Sequence, residues 1–431
     1  MKEKFIKSSI ILIIGGFITK LLGIVNKIMM TRLLKTEGVG LYMLILPTFS
    51  LFINLASFGF PIAISKLVAE DDKNNKRLIF SVIPFCMFIN ILLIILIIIF
   101  APYLSHTLLK EDRVYYATIA IALVIPFTSI SAILRSYFFG KEKMIPHVLS
   151  NIIEDIVRLF LIIIGIPYFI KHGIEYAVAY LVASNIISEL TSIIILFFFL
   201  PKNFKLKKSD IKPSRIYLKD SLQISIPTTI SRLIGSFTYF LEPIILTSIL
   251  LYTGYSKNYI VYEYGIISGY VMPVILLPSF FSLAISQALL PIVSKNFKLK
   301  NYNSTKKAIK LAIIISLLIG VIFTISFIIS PKIILKLIYN TTEGATYLKY
   351  FAPVCLLQYI ISPLTMSLDA MGKSKDNLTI TLITSIIRTL LLPLLALLKI
   401  GIWCLIISTS INIIVATYLS IKKVKLALNE H

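Results

Sequence analysis

Long apolar segments with almost no charge are the feature of this sequence that most restricts its fold. Ile89–Phe100 and Ile193–Leu200 are two such runs, and each lies within a longer stretch that can cross a bilayer at about 20 residues. Hydrophobic residues make up 57% of the chain and charged residues only 15%, which is too little polar surface for a soluble globule of 431 residues. The sequence therefore predicts an all-α polytopic membrane protein.

About twelve spanning helices can be placed from the apolar segments and the charges that bound them. Two of the predicted spans are longer than usual and contain proline, which is typical of kinked or tilted helices. The predicted spans are 8–30, 39–64, 78–101, 114–139, 147–170, 176–200, 219–250, 262–290, 308–330, 346–369, 377–398 and 401–421.

The net charge of +23 alternates from loop to loop along the chain. With the N-terminus placed inside the cell, the cytoplasmic loops and tails hold 27 of the 43 basic residues and the outer loops hold 10. Because Lys and Arg accumulate in cytoplasmic loops, this bias predicts a multi-pass protein of the cytoplasmic membrane with both termini inside. It also accounts for the basic charge without nucleic acid as a partner.

The two halves of the chain carry related sequences. Ile18–Gly23 (ITKLLG) aligns with Ile230–Gly235 (ISRLIG), which places a cation and a glycine at the same depth of spans 1 and 7. The basic segment 201–218 is then the linker between an N-terminal lobe, 1–200, and a C-terminal lobe, 219–431. Each predicted lobe has six spans and begins inside, so the lobes are related by a pseudo-twofold axis along the membrane normal. Transporters with this symmetry bind substrate near the midplane between their halves.

Six basic residues fall inside predicted spans, where a charge is costly and marks a functional hypothesis. They are Lys20, Lys27, Arg135, Arg158, Arg232 and Arg388.

Lys20 and Arg232 are the strongest candidates among these cations. Lys20 lies about 18 Å into span 1, past the bilayer centre, and Arg232 is its mate in the repeat. Two facing cations repel unless an anion joins them, so we expect them to bind a phosphate or pyrophosphate, with Lys27 on the same face as Lys20. The alternative is that they pair with Glu242 or another helix for structure alone.

Acidic residues within the spans offer partners for the cations. Glu154 and Arg158 stand four residues apart, which favours a local ion pair on span 5. Glu242 is a candidate counter-ion of Arg232 or a candidate coupling-ion site, and the sequence leaves this open. Arg135 lies near a predicted cytoplasmic helix end, where its side chain can reach the interface.

Motifs for catalysis are absent from the sequence. It contains no Walker A motif, glycine-rich nucleotide loop, metal-ligand cluster or nucleophile constellation. The three cysteines lie in apolar runs without metal-type spacing. We therefore expect neither an enzyme nor a bound cofactor or metal.

Several segments together resemble one family. Thr19–Lys27 (TKLLGIVNK), Glu37–Met43 (EGVGLYM), Gly59–Glu70 (GFPIAISKLVAE) and Leu134–Gly140 (LRSYFFG) are similar to motifs of the stage V sporulation protein B family. That family belongs to the polysaccharide and lipid-linked-precursor flippases of the multidrug/oligosaccharidyl-lipid/polysaccharide exporter superfamily. The resemblance covers most of the chain and is strongest over residues 1–160.

The resemblance implies two six-helix lobes around a central cavity. It also implies export of an undecaprenyl-pyrophosphate-linked saccharide, a lipid II-like peptidoglycan precursor for the spore cortex, by alternating access. The lipid II flippases of this group line their cavity with arginines. Lys20 matches the first of these positions, whereas Asn26, with Lys27 beside it, stands at the second.

A flippase for such a substrate is therefore the first functional hypothesis. A multidrug/cation antiporter of the same fold is an alternative, and it would need carboxylates in the cavity, for which Glu242 and Glu189 are candidates. A non-transporting scaffold for wall synthesis is another. The expected partners are the lipid-linked saccharide and membrane lipids, with cell-wall synthases as further candidates.

Overall fold

The structure is a computed structural model that describes residues 2–70, 75–200 and 213–429. These residues are almost entirely helical, and the chain divides into two compact units, Met1–Phe240 and Leu241–His431. The helices that begin in the first unit are α1 (Lys2–Ser57), α2 (Phe60–Ala69), α3 (Asn75–Pro102), α4 (Tyr115–Gly140), α5 (Met144–Phe169), α6 (Ile174–Phe198) and α7 (Arg215–Tyr252).

The second unit begins within α7. A π-helical turn, Ile266–Val271, joins its next two helices into one continuous element. The remaining helices are α8 (Lys257–Gly265), α9 (Met272–Lys298), α10 (Tyr302–Ile329), α11 (Pro331–Tyr339), α12 (Ala345–Ala370), α13 (Ser374–Leu397) and α14 (Trp403–Asn429).

The helices have the length and composition of membrane spans. Ten elements in the described part of the chain are long and apolar enough to cross a bilayer. The first of them contains two helical parts, because Lys35 (φ 56°, ψ 178°) interrupts α1. A further helix, α5, is 26 residues long but carries three charged residues. The prediction of about twelve spans is thus confirmed.

Large apolar side chains cover the outer surface of these helices. Ile99, Ile164 and Phe198 are each more than 70% exposed. Exposed apolar surface on this scale is unfavourable in water and is expected where lipid is the solvent. The chain is therefore a multi-pass membrane protein.

The start of α7 packs within the first unit, although 219 was the predicted start of the C-terminal lobe. A Cβ atom on Gly59 would lie 2.6 Å from the main-chain oxygen of Ser225, and Asn54 donates a hydrogen bond of 2.6 Å to Ser236. Ser225 and Ser236 both lie on α7. Most of the predicted linker, 201–212, lies outside the described residues, so the division at 201–218 stays a prediction.

Candidate functional site

A network of ion pairs joins three helices inside the first unit. Arg135 on α4 pairs with Glu154 on α5 and with Glu189 on α6, the latter at 2.8 Å. Arg158 on α5 pairs with Glu154 and, at 3.4 Å, with Asp155. The three carboxylates belong to buried residues, and the arginine partners offset the cost of burying charge in a medium of low dielectric constant.

Helical spacing explains only part of this network. Glu154, Asp155 and Arg158 lie within one turn of α5, which brings the Arg158 guanidinium next to both carboxylates. The predicted local pair between Glu154 and Arg158 is present. Arg135 does not extend to the interface as expected, because Glu154, Glu189 and the Ser192 hydroxyl, at 2.9 Å, hold its guanidinium within the unit.

A cavity of about 260 Å³ lies between α1, α5 and α6, next to this network. Its polar lining consists of Asn26 and Lys27 from the first part of α1, Tyr42 from the second part, Arg158 and Asn185. Apolar side chains of the same helices complete the wall. Arg158 lies near the middle of α5, so the cavity reaches the depth of the membrane interior.

Several polar groups of the cavity lining lack a partner within the described part of the chain. The Nδ2 of Asn26 donates to the main-chain oxygen of Asp155 at 3.0 Å, but the buried Oδ1 of the same amide accepts no hydrogen bond. The buried Nε of Arg158 is also unpaired. Lys27 is half-buried and forms no ion pair with a described residue. The cavity therefore offers cationic groups that another anion can satisfy.

Lys20 lies one helical turn from this cavity. Gly23 lines the cavity, and a Cβ atom at Gly23 would meet nothing within 4 Å. Because residues three and seven apart share a helix face, Lys20, Gly23 and Lys27 form one accessible stripe on α1. The Lys20 side chain is exposed and makes no ion pair with a described residue.

Arg232, the predicted repeat mate of Lys20, lies on the first-unit part of α7. Its side chain is exposed, and a Cβ atom at Gly235, one turn further, would also meet nothing within 4 Å. The cation and the open glycine thus occur together on both α1 and α7.

Glu242 takes a partner from its own unit. Arg388 on α13 pairs with the Glu242 carboxylate, and the Tyr264 hydroxyl donates to it at 3.2 Å. Glu242 is buried, so this ion pair satisfies a charge that would otherwise be costly. Glu242 therefore pairs with Arg388 and not with Arg232, the partner considered from the sequence. From the sequence, Arg388 was identified only as a cation within a predicted span.

Some members of the cavity and network were outside the predicted site. Asn185 carries no charge, so nothing in the sequence distinguishes it from ordinary helix residues. Tyr42 lies in the family-like segment Glu37–Met43, but nothing in that segment indicates that its side chain lines a cavity. Arg135 and Glu189 were visible as intramembrane charges, but their pairing across α4 and α6 is a tertiary contact that spacing does not encode.

Comparisons with known proteins agree with this architecture. A family model described as polysaccharide biosynthesis protein matches residues 5–297, and a model described as MatE matches 266–394. Stage V sporulation protein B of Bacillus subtilis (strain 168) is 32% identical over 405 residues, which cover 92% of this chain and 78% of that protein.

Two solved structures share the fold over almost the whole chain. One is the inward-facing conformation of a multidrug resistance MATE family transporter of the MOP superfamily, with a TM-score of 0.78, 15% identity, and coverage of 96% of this chain and 95% of that one. The other is the lipid II flippase MurJ in an inward closed conformation, with a TM-score of 0.72, 17% identity, and coverage of 96% and 87%.

The fold and the charged interior of its first unit therefore define a multi-pass α-helical membrane protein with the architecture of the MOP transporters. Within that class, the chain belongs to the polysaccharide biosynthesis protein family.

Proposed function

We propose that this protein is a flippase that moves an anionic, lipid-linked saccharide across the cytoplasmic membrane by alternating access. The unpaired ammonium of Lys27 in a membrane-embedded cavity is the observation that carries the proposal. A cation inside a membrane is retained when a partner compensates it, and a phosphate or pyrophosphate is a partner that lysine binds by charge-assisted hydrogen bonds.

The size of the cavity limits what it binds. Its volume of about 260 Å³ is slightly below the range of about 300–1,000 Å³ that is typical of small-molecule sites. A whole lipid-linked saccharide does not fit, whereas a single phosphate group does. The cavity is then an anchoring point for the charged linkage, with the sugar and the lipid tail outside it.

Lys20 and Arg232 extend this proposal beyond the cavity. Both are exposed, and each lies beside a glycine with open space above its backbone. A stripe of Lys20 and Lys27 along α1 supplies two cations in sequence, which suits a diphosphate. Asn26, whose Oδ1 is unpaired, would accept a hydrogen bond from a hydroxyl of the substrate.

The carboxylates are assigned a different role. Glu154 and Glu242 are each paired with arginine, so we propose that these two carboxylates act as counter-ions: Glu154 orients Arg158 and Arg135, and Glu242 orients Arg388. The membrane potential is then sufficient to favour export, since moving one negative charge outward is favourable by about 2.3 kcal/mol per 100 mV.

The same ion pairs argue against the antiporter alternative. A carrier of organic cations needs an unpaired carboxylate in its cavity, but Glu189 and Glu242, the two candidates, both contact a guanidinium. No contact of a described residue favours the scaffold alternative.

An undecaprenyl-pyrophosphate-linked precursor similar to lipid II is the substrate we favour. The proposal draws on the family membership, on the sporulation protein that is 32% identical and on the fold shared with a lipid II flippase. For this function we propose the orientation that the loop charges predict, with both termini inside the cell. Cell-wall synthases remain candidate partners.

Reconstitution tests the proposal. Purified protein in liposomes would be given fluorescent lipid II, and exposure of the label to a reagent present only outside would be followed with and without an imposed potential. We expect protein-dependent exposure that Lys20→Ala/Arg232→Ala reduces at least tenfold. Full transport by that double variant would contradict the roles of these cations, and no transport by the folded wild type would contradict the substrate.

A further inference from the structure

The short helix α11 and the pocket beside it form a second cationic site, in the second unit. The predicted spans 9 and 10 leave residues 331–345 as a loop between them, but Pro331–Tyr339 is helical. Leu335 and Tyr339, four residues apart, are buried against the unit, whereas Ile333 and Leu337, also four apart, are 68% and 76% exposed.

The exposed side of α11 carries two adjacent rows of side chains, one basic and one apolar. Lys332 and Lys336 are exposed and lie one turn apart, next to the row formed by Ile333 and Leu337. A helix that presents a row of lysines beside a row of large apolar side chains is typical of helices that lie in the interface of a membrane.

An aromatic cluster at the starts of α12 and α14 indicates the depth of this region in the membrane. Trp403, at the start of α14, packs against Tyr347 and Tyr350 near the start of α12, with ring centroids 4.9 Å and 6.1 Å apart. Tryptophan and tyrosine are enriched where hydrocarbon meets headgroups. This cluster therefore indicates that α11 lies at the depth of the lipid headgroups.

A pocket of about 520 Å³ opens between the end of α10, the first residues of α11 and the start of α12. Lys332 and Lys349 supply its cationic lining, and Ile329, Ile333 and Tyr350 supply apolar surface. No described residue forms an ion pair with either lysine. The combination suits a molecule with a phosphate at one end and an acyl chain at the other.

The charge of this region supports an anionic occupant. Lys332, Lys336 and Lys349 are three of the ten basic residues in predicted outer loops, where the topology rule disfavours cations. Glu343 is the acidic residue within 331–350, and its carboxylate already accepts a hydrogen bond from Tyr262. The lysines thus retain an excess of positive charge.

We propose that this pocket binds an anionic membrane phospholipid, with the phosphodiester between Lys332 and Lys349 and an acyl chain along Ile329 and Ile333. The site is separate from the cavity of the first unit and does not depend on the proposed transport function. A lipid bound there would connect this end of the second unit to the anionic lipids of the outer leaflet.

Trp403 makes the proposal directly measurable, because it is the one tryptophan of the chain and packs against Tyr350, which lines the pocket. Purified full-length protein would be placed in vesicles of phosphatidylcholine that contain increasing fractions of phosphatidylglycerol brominated on its acyl chains. Quenching of Trp403 fluorescence would be compared with that produced by brominated phosphatidylcholine. We expect brominated phosphatidylglycerol to quench at a lower mole fraction than brominated phosphatidylcholine.

The lysines should carry this preference. Lys332→Gln/Lys349→Gln should weaken phosphatidylglycerol binding relative to phosphatidylcholine by about 30-fold, since the variant removes two cations and each cation near a membrane surface contributes about 1 kcal/mol. Lys332→Arg/Lys349→Arg should keep the preference. Quenching by brominated phosphatidylcholine should be the same in all variants, which checks that the fold is intact.

Exposed lysines elsewhere provide the matched control. Lys171→Gln/Lys257→Gln removes two cations from other predicted outer loops and should leave the preference unchanged. Equal quenching of the wild type by both lipids would overturn the proposal, and so would a preference that survives in Lys332→Gln/Lys349→Gln. Inorganic phosphate should not displace the lipid, and displacement by phosphate alone would show that the pocket binds the free ion instead.

Discussion

The side-chain amide of Asn26 on α1 donates a hydrogen bond of 3.0 Å to the main-chain oxygen of Asp155 on α5. This bond connects the helix that carries Lys20 and Lys27 to the helix that carries Arg158. It holds the two sources of positive charge on opposite sides of one cavity, and it leaves the Oδ1 of Asn26 as an unpaired acceptor in the same place.

Asn26→Asp should reduce transport more than Asn26→Ala. The carboxylate of the Asp variant would place a negative charge beside Lys27 and Arg158 and compete with the substrate anion, whereas Ala only removes the hydrogen bond, worth about 1 kcal/mol of stability. Initial flipping rates in liposomes, measured at equal amounts of folded protein, check this. Equal rates for the two variants would show that charge in the cavity does not govern binding.

Glu154→Gln should destabilise the protein strongly. Glu154 bridges Arg135 and Arg158, so its neutralisation leaves two partly buried guanidinium groups with less compensation, at a cost of about 3–5 kcal/mol. The midpoint of thermal unfolding in detergent should fall well below that of Glu142→Gln, a substitution at an exposed carboxylate. An unfolding temperature that matches this control would rule out the network as a stabilising element.

The pair of Arg135 and Glu189 should show energetic coupling. Removing Arg135 leaves the buried Glu189 carboxylate without its ion-pair partner, while removing both charges does not, so Arg135→Gln/Glu189→Gln should be more stable than the sum of the single variants predicts. A coupling of about 0.5–3 kcal/mol is expected from a double-mutant cycle of unfolding free energies. Additive effects would mean that the 2.8 Å contact contributes nothing specific.

Gly59→Ala should destabilise the junction between α1, α2 and α7. Gly59 has a positive φ of 60°, and its added Cβ atom would approach the main-chain oxygen of Ser225 to 2.6 Å. The left-handed conformation alone costs an L-residue about 1–2 kcal/mol. Gly254→Ala, at a glycine of positive φ with open space around it, is the matched control. Equal losses in unfolding temperature would show that the contact with Ser225 is unimportant.

The helices themselves could be predicted from the sequence, because lipid permits little else for runs as apolar as Ile89–Phe100. The break in α1 was harder to locate. A loop was expected between spans 1 and 2, but the chain turns at the single residue Lys35 and remains helical on both sides. The helix α11 was not predicted, because its nine residues are too few to cross a bilayer and the helices were predicted from segments long enough to do so.

The candidate site was only partly predictable for a related reason. Lys27, Asn26 and Arg158 were selected as charged or family-matched positions, and they do line one cavity. Which carboxylate pairs with which cation depends on how helices pack. Spacing along the chain could not predict that Arg388 pairs with Glu242 or that Arg135 pairs with Glu189.

Transport by a Lys27→Gln variant is the most direct measurement of the central claim, that an unpaired cation inside the first unit binds the phosphate of a lipid-linked saccharide. Lys27→Gln keeps a polar side chain, one atom shorter than that of lysine, and removes its charge, and Lys171→Gln is the control at an exposed loop lysine. Loss of charge-assisted hydrogen bonds worth about 1.5–3 kcal/mol should lower the apparent affinity for fluorescent lipid II by roughly 10- to 100-fold. Wild-type affinity and rate in folded Lys27→Gln, equal to those of Lys171→Gln, would contradict the claim.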